Sequence, residues 1–163
     1  MLEISEIIIA VENKDHFVLD PFIKKGDFVK MANGQPLRYV GGFTAVFPFI
    51  INNEKWAFRC WHAEMGNVRR RFEKIAKAIS TSNAKYLCEF TYTDEGIIVK
   101  GKCYPTTRMR WVEGQTIKDY ICANAYNSEK LNALAHRFLE MVQDMHKHGF
   151  AHGDLQHGNI IID

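Results

Sequence analysis

The run from His148 to Asp163 constrains this chain more than any other segment. Asp154 and Asn159 stand five positions apart on a turn-prone stretch that holds Gly153 and Gly158, and the apolar run Ile160 to Ile162 follows. Glycines allow tight backbone reversals, and β-branched residues after them suit a short buried strand. Such a turn aims an acid and an amide into one cleft. There a carboxylate can orient or deprotonate a hydroxyl, and a neutral amide oxygen can ligate a hard divalent cation. His146, His148, His152 and His157 crowd the same region and offer a competing reading as a metal site. Gly149 and Gly153 break the helix that would align His148 with His152, and no thiol or carboxylate completes a familiar ligand set.

Composition bounds the class. With 163 residues, 47% of them hydrophobic and 25% charged, the chain is long enough to bury a real core. Its net charge of +2 is too small to argue for nucleic acid or a membrane surface as a partner. Arg69-Arg70-Arg71 reads as a solvated helix face. Cys60, Cys88, Cys103 and Cys122 lie far apart without a C-x-x-C pair, which points to reduced thiols and a cytoplasmic setting. No charged-then-apolar leader opens the chain, and its apolar runs are too short to span a bilayer.

Strands and turns are expected in the first half. Glu6 to Val11 and His16 to Leu19 are β-prone runs around the turn Glu12 to Asp15, with Pro21 ending the second. Lys24 to Pro36 is polar and turn-rich, so it reads as a loop or hairpin. Leu37 to Ile51 and Lys55 to Trp61 read as the arms of a hairpin that turns at Asn52-Asn53 and carries Gly41-Gly42 in its first arm. Backbone amides beside glycines can cradle a phosphate, because no side chain blocks the approach. A helix from about Asn67 to Ile79 follows, with Val68, Phe72, Ile75 and Ile79 at helical spacing and Asn67 as its N-cap.

Tyr86 to Tyr92 then reads as a strand, Asp94-Glu95-Gly96 as a turn and Ile97 to Tyr104 as its return, with a further strand through Pro105 to Val112. Thr116 to Ile121 starts a short helix. Ser128 caps a long one to about His148, whose buried face is Leu131, Leu134, Ala135, Phe138, Val142 and Met145, and which Gly149 ends.

Taken in order, these features resemble the protein-kinase-like superfamily. His152-x-Asp154-Leu155-x-x-x-Asn159 is similar to the kinase catalytic-loop signature, and its glycines resemble the form found in small-molecule and atypical bacterial kinases. Tyr39 to Val46 resembles the glycine-rich loop, with Gly41 as its middle glycine, Gly42 beside it, Phe43 at the tip and Val46 over the adenine. Tyr39 and Thr44 stand at the two outer glycine positions. Ala57-Phe58-Arg59 occupies the place of the strand-borne Ala-x-Lys, so the resemblance has Arg59 grip the α- and β-phosphates and pair with Glu73, or with Glu64 as second choice. Arg108 to Gly114 resembles the hinge, with Met109 as gatekeeper and the Arg110 carbonyl and Val112 amide on adenine. His152 takes a structural duty, Asp154 is the base and Asn159 holds magnesium.

The fold this implies is α+β and protein-kinase-like. An N-terminal antiparallel β-sheet lobe with one main helix and an N-terminal β extension would cover residues 1–112, and the start of a helical C-lobe residues 113–163. The function it implies is transfer of the γ-phosphate of ATP, with Mg, to a hydroxyl on a protein or small molecule. Kinases place an Asp-Phe-Gly-type segment well beyond the catalytic-loop asparagine, and Asp163 follows Asn159 by only four positions. The expectation is therefore an N-terminal piece that is inactive by itself and associates weakly through exposed C-lobe surface. Arg59, the depleted glycine loop and Gln156 in place of a lysine also fit an alternative, a nucleotide-binding pseudokinase or scaffolding module. A domain with no nucleotide site is the third reading.

Overall fold

The computed structural model describes residues 2–63 and 68–163, and of residues 68 and 69 the backbone only. It is an α+β protein with a principal antiparallel sheet and several helices. The chain forms two compact units, Met1–Ser80 with Glu89–Trp111 and Thr81–Cys88 with Val112–Asp163.

The first unit opens with helices α1 (Ile4–Glu12), α2 (Lys14–Phe17) and α3 (Pro21–Lys24). The strand expected over residues 6–11, and with it the N-terminal β extension, is thus replaced by helix, and of the one expected over 16–19 only Val18 keeps a β-bridge, to Ile97. Burial overrides the β preference of the isoleucine run: Ile7, Ile8, Ala10 and Val11 sit on one helical stripe and pack into the core, while Ile9 stays exposed. A reciprocal capping box between Glu3 and Glu6 starts α1. Pro21 begins α3 at a position where a missing N–H costs nothing, and the Asp20 side chain caps it by accepting from the Phe22 N–H at 2.9 Å.

The sheet contains β1 (Asp27–Phe28), β2 (Tyr39–Val40), β3 (Thr44–Ile51), β4 (Glu54–Trp61), β5 (Phe90–Val99) and β6 (Lys102–Arg110). Its order is β1-β3-β4-β6-β5, with β2 paired to β3. Asn52 and Asn53, both at positive φ, turn β3 into β4. Alternation along β3 and β4 sends Ala45, Phe47, Phe49, Ile51, Trp56, Phe58 and Cys60 into the core beneath the N-terminal helices. The opposite face carries Val46, Ala57, Arg59 and Trp61.

Helix α4 (Val68–Thr81) follows; its expected cap Asn67 and the alternative partner Glu64 lie outside the described residues. Phe72 of α4 meets Trp61, Phe90 and Tyr92 at ring separations of 5.2, 5.8 and 6.5 Å, so the helix lies on the second face. The strand expected from Tyr86 starts only at Phe90, and Asp94 to Gly96 is an irregularity within β5 rather than a turn. Gly96 is needed there because a Cβ would fall 1.7 Å from Thr106 Oγ1. The reversal comes at Lys100-Gly101, both at positive φ.

The second unit holds β7 (Gln115–Thr116), α5 (Ile117–Ala123), α6 (Ser128–Lys147) and β8 (Ile161–Ile162). Asn127, not Ser128, caps α6 by accepting from the Lys130 N–H at 3.0 Å. Gly149 follows the helix at φ +78°. Of the apolar stripe expected on α6, Leu134 and Met145 are buried, Leu131, Phe138 and Val142 are half-buried, and Ala135 is exposed. No helix among the described residues is long and apolar enough to cross a membrane.

Candidate functional site

Sheet register brings four of the expected nucleotide-contacting residues of the first unit onto one face. Val46 on β3 is the direct partner of Arg59 on β4, and Ala57 is the partner of Met109 on β6. Directly opposed residues of antiparallel strands point to the same side, so these four side chains share the face opposite the main core. Arg59 is half-buried, and burial lowers the pKa of its guanidinium from the ordinary arginine value. Its Nη2 lies 3.9 Å from Met109 Sδ, a weak acceptor. The described partners of Arg59 do not include Glu73, which is exposed on α4.

Gly41 and Gly42 form the turn between β2 and β3. The Gly41 N–H donates to the Thr44 carbonyl at 2.9 Å, and the His62 ring approaches the Gly41 carbonyl at 3.0 Å. Neither glycine has positive φ, and a Cβ on either would meet nothing nearer than 3.8 Å. Folding therefore does not demand glycine at these positions. What the missing side chains leave is bare backbone, and Phe43 beside it is 72% exposed.

At the end of β6, Arg110 bonds Glu54 across the sheet at 2.8 Å. Trp111 closes the unit, its N–H donating to the Lys55 carbonyl at 3.0 Å and its ring meeting Lys55 Nζ at 4.2 Å and the Tyr39 ring at 5.9 Å. Val112 belongs to the second unit and is exposed.

In that second unit the loop between α6 and β8 holds the acid and the amide together. Asn159 Nδ2 donates to Asp154 Oδ2 at 3.0 Å and to the Asp154 carbonyl at 2.9 Å. The Asp154 N–H lies 3.3 Å from His152 Nδ1, and the Asn159 N–H donates to the Gln156 carbonyl at 2.9 Å. Gly153 takes φ +74°, a value open to glycine. Strand β8 anchors the far end by pairing with β7, and the Ile117 N–H donates to the Ile160 carbonyl at 3.0 Å. Gly114 allows this closeness, since at φ +147° a Cβ on it would fall 2.3 Å from the Ile162 carbonyl oxygen. The amide nitrogen of Asn159 is thus committed to Asp154.

Metal fit differs between the two readings of this loop. His148 Nδ1 is engaged by the Asp144 carbonyl at 2.8 Å, and among the described residues no group of three His, Cys, Asp or Glu could hold a metal ion. A neutral oxygen on Asn159 suits magnesium, which keeps most of its shell as water and phosphate oxygens and needs few protein ligands.

One group escaped the reading of the sequence. Thr107 on β6 is the direct partner of Arg59, is 1% exposed, and its hydroxyl has no hydrogen-bond partner among the described residues. Period-two alternation from Met109 was the available signal, since Thr107 lies two positions before it. No family model matches the chain, and no curated protein matches it.

Proposed function

We propose that this protein acts in ATP- and magnesium-dependent phosphoryl transfer to a hydroxyl acceptor, with kinase-like lobes. The observation that carries the reading is the Asp154–Asn159 hydrogen bond of 3.0 Å on an exposed loop. Asp154 would accept or orient the acceptor hydroxyl. Asn159 would fix that carboxylate through its amide nitrogen and offer its carbonyl oxygen to magnesium, which supplies charge neutralisation at the phosphates. On the sheet face, Arg59 would hold phosphate oxygens. Val46, Ala57 and Met109 would form the apolar wall for the base, the Arg110 carbonyl and Val112 amide its polar edge, and the Gly41-Gly42 turn a backbone cradle tipped by Phe43. Glu73 is assigned to orient Arg59.

Thermal unfolding in ATP with magnesium tests the reading. Ligand at a hundred times its Kd stabilises by about 2.7 kcal/mol, which for a chain of this size raises Tm by roughly 5–10 °C. In the protein at its intact length, Asp154→Asn should keep that shift and lose radiolabel transfer from [γ-32P]ATP to hydroxyl acceptors. Absence of any ATP-dependent shift would sink the proposal. The half-buried arginine at position 59, in place of a lysine, favours a second reading, a pseudokinase that binds nucleotide without transfer. Binding without transfer in the intact-length protein, with no difference in Asp154→Asn, would select it.

A further inference from the structure

We infer that Arg59 and Thr107 together form a buried oxyanion receptor, with the Thr107 hydroxyl as its second donor. This rests on the nucleotide site proposed above but needs only a phosphate-like oxygen as ligand.

The two residues are direct partners across β4 and β6, which places their Cβ atoms about 5 Å apart on the same face. Arg59 Nε and Thr107 Oγ1 are both fully shielded from solvent, and neither has a hydrogen-bond partner among the described residues. They do not bond each other, yet they stand side by side. An unpaired buried polar group is costly, and native structures rarely keep one without a use for it. Trp56, Arg59, Thr107 and Arg108 each hold such an atom, and of these only Arg59 and Thr107 are direct cross-strand partners.

The surroundings select the sign of the missing partner. The row across the sheet reads Val46, Arg59, Thr107 and Tyr92, so no carboxylate faces Arg59 from either neighbouring strand. Met109 Sδ, its described contact, carries no charge. Arg59 Nε can only donate, whereas the Thr107 hydroxyl rotates to donate or accept. An oxygen that accepts from both satisfies the pair. An anionic oxygen also compensates the guanidinium, and a phosphate or polyphosphate oxygen combines that charge with the required geometry. A neutral ligand oxygen would leave the cation uncompensated. The burial that lowers the Arg59 pKa has the same consequence, since a desolvated cation gains most from an anion in contact with it.

The test is titration calorimetry of the whole chain with sodium tripolyphosphate and, separately, with ATP and magnesium. Thr107→Val keeps the shape and removes the hydroxyl, so both ligands should bind about tenfold more weakly, the usual weight of a charge-assisted hydrogen bond. Thr107→Ser should retain most of the affinity. Ligand-free Thr107→Val should melt no lower than the native protein, because an unpartnered hydroxyl has gone, which separates lost binding from lost folding. Unchanged affinity in Thr107→Val for both ligands overturns the inference and leaves the phosphotransferase reading intact. Tripolyphosphate binding that depends on Thr107, without any binding of ATP, supports the receptor and overturns the phosphotransferase reading. Failure of the native chain to bind either ligand overturns both.

Discussion

Removing the Asp20 carboxylate should cost this protein a large part of its stability. Asp20 is 2% exposed and does two jobs: it caps α3 through the Phe22 N–H and pairs with Arg108 Nη1 at 2.5 Å. The Arg108 side chain is 20% exposed, its guanidinium lies 4.6 Å from the centre of the Phe22 ring, and its Nε has no partner among the described residues. Asp20→Ala therefore strands a largely buried cation over the Phe22 ring. Breaking such a pair from one side costs about 3–5 kcal/mol, and loss of the cap about 1 kcal/mol. The effects overlap at one residue, so a total of about 4 kcal/mol is expected, against about 5–15 kcal/mol for an ordinary domain.

Urea unfolding followed by tryptophan fluorescence measures the change, with the m-value as a check that the unfolded state is unaltered. The decisive comparison adds Arg108→Met. If the cost comes from the stranded cation, the double variant Asp20→Ala/Arg108→Met should recover about 2 kcal/mol relative to Asp20→Ala alone. A cost below about 1 kcal/mol for Asp20→Ala, or a double variant no better than the single, would refute the reasoning.

Three further outcomes follow from the same structure. Gly96→Ala should destabilise by about 3 kcal/mol in the urea assay, because the new methyl overlaps Thr106 Oγ1, Cβ and Cγ2 at 1.7, 2.7 and 2.8 Å. Phe47→Ala, at a side chain with 0% exposure, should cost about 3–5 kcal/mol through lost burial and the cavity left behind. Cys60 is buried and its thiol pKa is pushed up by burial, while Cys103 and Cys122 are exposed. A thiol-specific reagent should thus label Cys103 and Cys122 in the native protein and Cys60 only on unfolding. Since the folded pKa lies above the unfolded one, this group's contribution is full below the unfolded thiol pKa and falls as pH rises past it, by up to about 1.4 kcal/mol per unit. Cys60→Ala should flatten stability between about pH 9 and 10.

The sheet was legible in the sequence where local and tertiary preferences agree. Residues 44–51 and 54–61 are rich in β-branched and aromatic residues and are joined by Asn52-Asn53, so composition and turn chemistry point to the same hairpin. They disagree in the N-terminal segment. Ile7-Ile8-Ile9 favours a strand locally, but the Glu3–Glu6 capping box and the burial of Ile7, Ile8, Ala10 and Val11 in the core shared with Phe47, Phe49 and Phe58 favour a helix. The turn expected at Asp94 to Gly96 failed for a related reason. Gly96 there serves the close approach of Thr106, while the reversal fell to Lys100-Gly101, whose lysine at positive φ is an uncommon choice. Arg59 and Met109 stood out on their own strands, but Thr107 did not, because its significance depends on the β4–β6 register, which joins residues far apart in the chain.

Where residue type serves folding and where it does not is what separates candidate site from scaffold in this molecule. Gly96 and Gly114 are explained by packing, since a side chain at either would collide with Thr106 or with the Ile162 backbone. Gly41 and Gly42 have ordinary backbone angles and open space around them, so their bareness has no structural beneficiary. Arg59 and Thr107 hold buried polar atoms without partners among the described residues, as Trp56 and Arg108 also do, but they alone of these are direct cross-strand partners. In the other unit, Asp154 and Asn159 bond each other on an exposed loop, where their pairing adds little to the core. Residues that folding does not need, or that it tolerates at a cost, concentrate at functional sites. By that criterion the candidate residues of the first unit, taken by itself, are the Gly41-Gly42 turn and the Arg59–Thr107 pair. The second contributes a carboxylate held in place by an amide. The proposed phosphoryl transfer calls for groups of both kinds, one to grip an oxyanion and one to orient a hydroxyl.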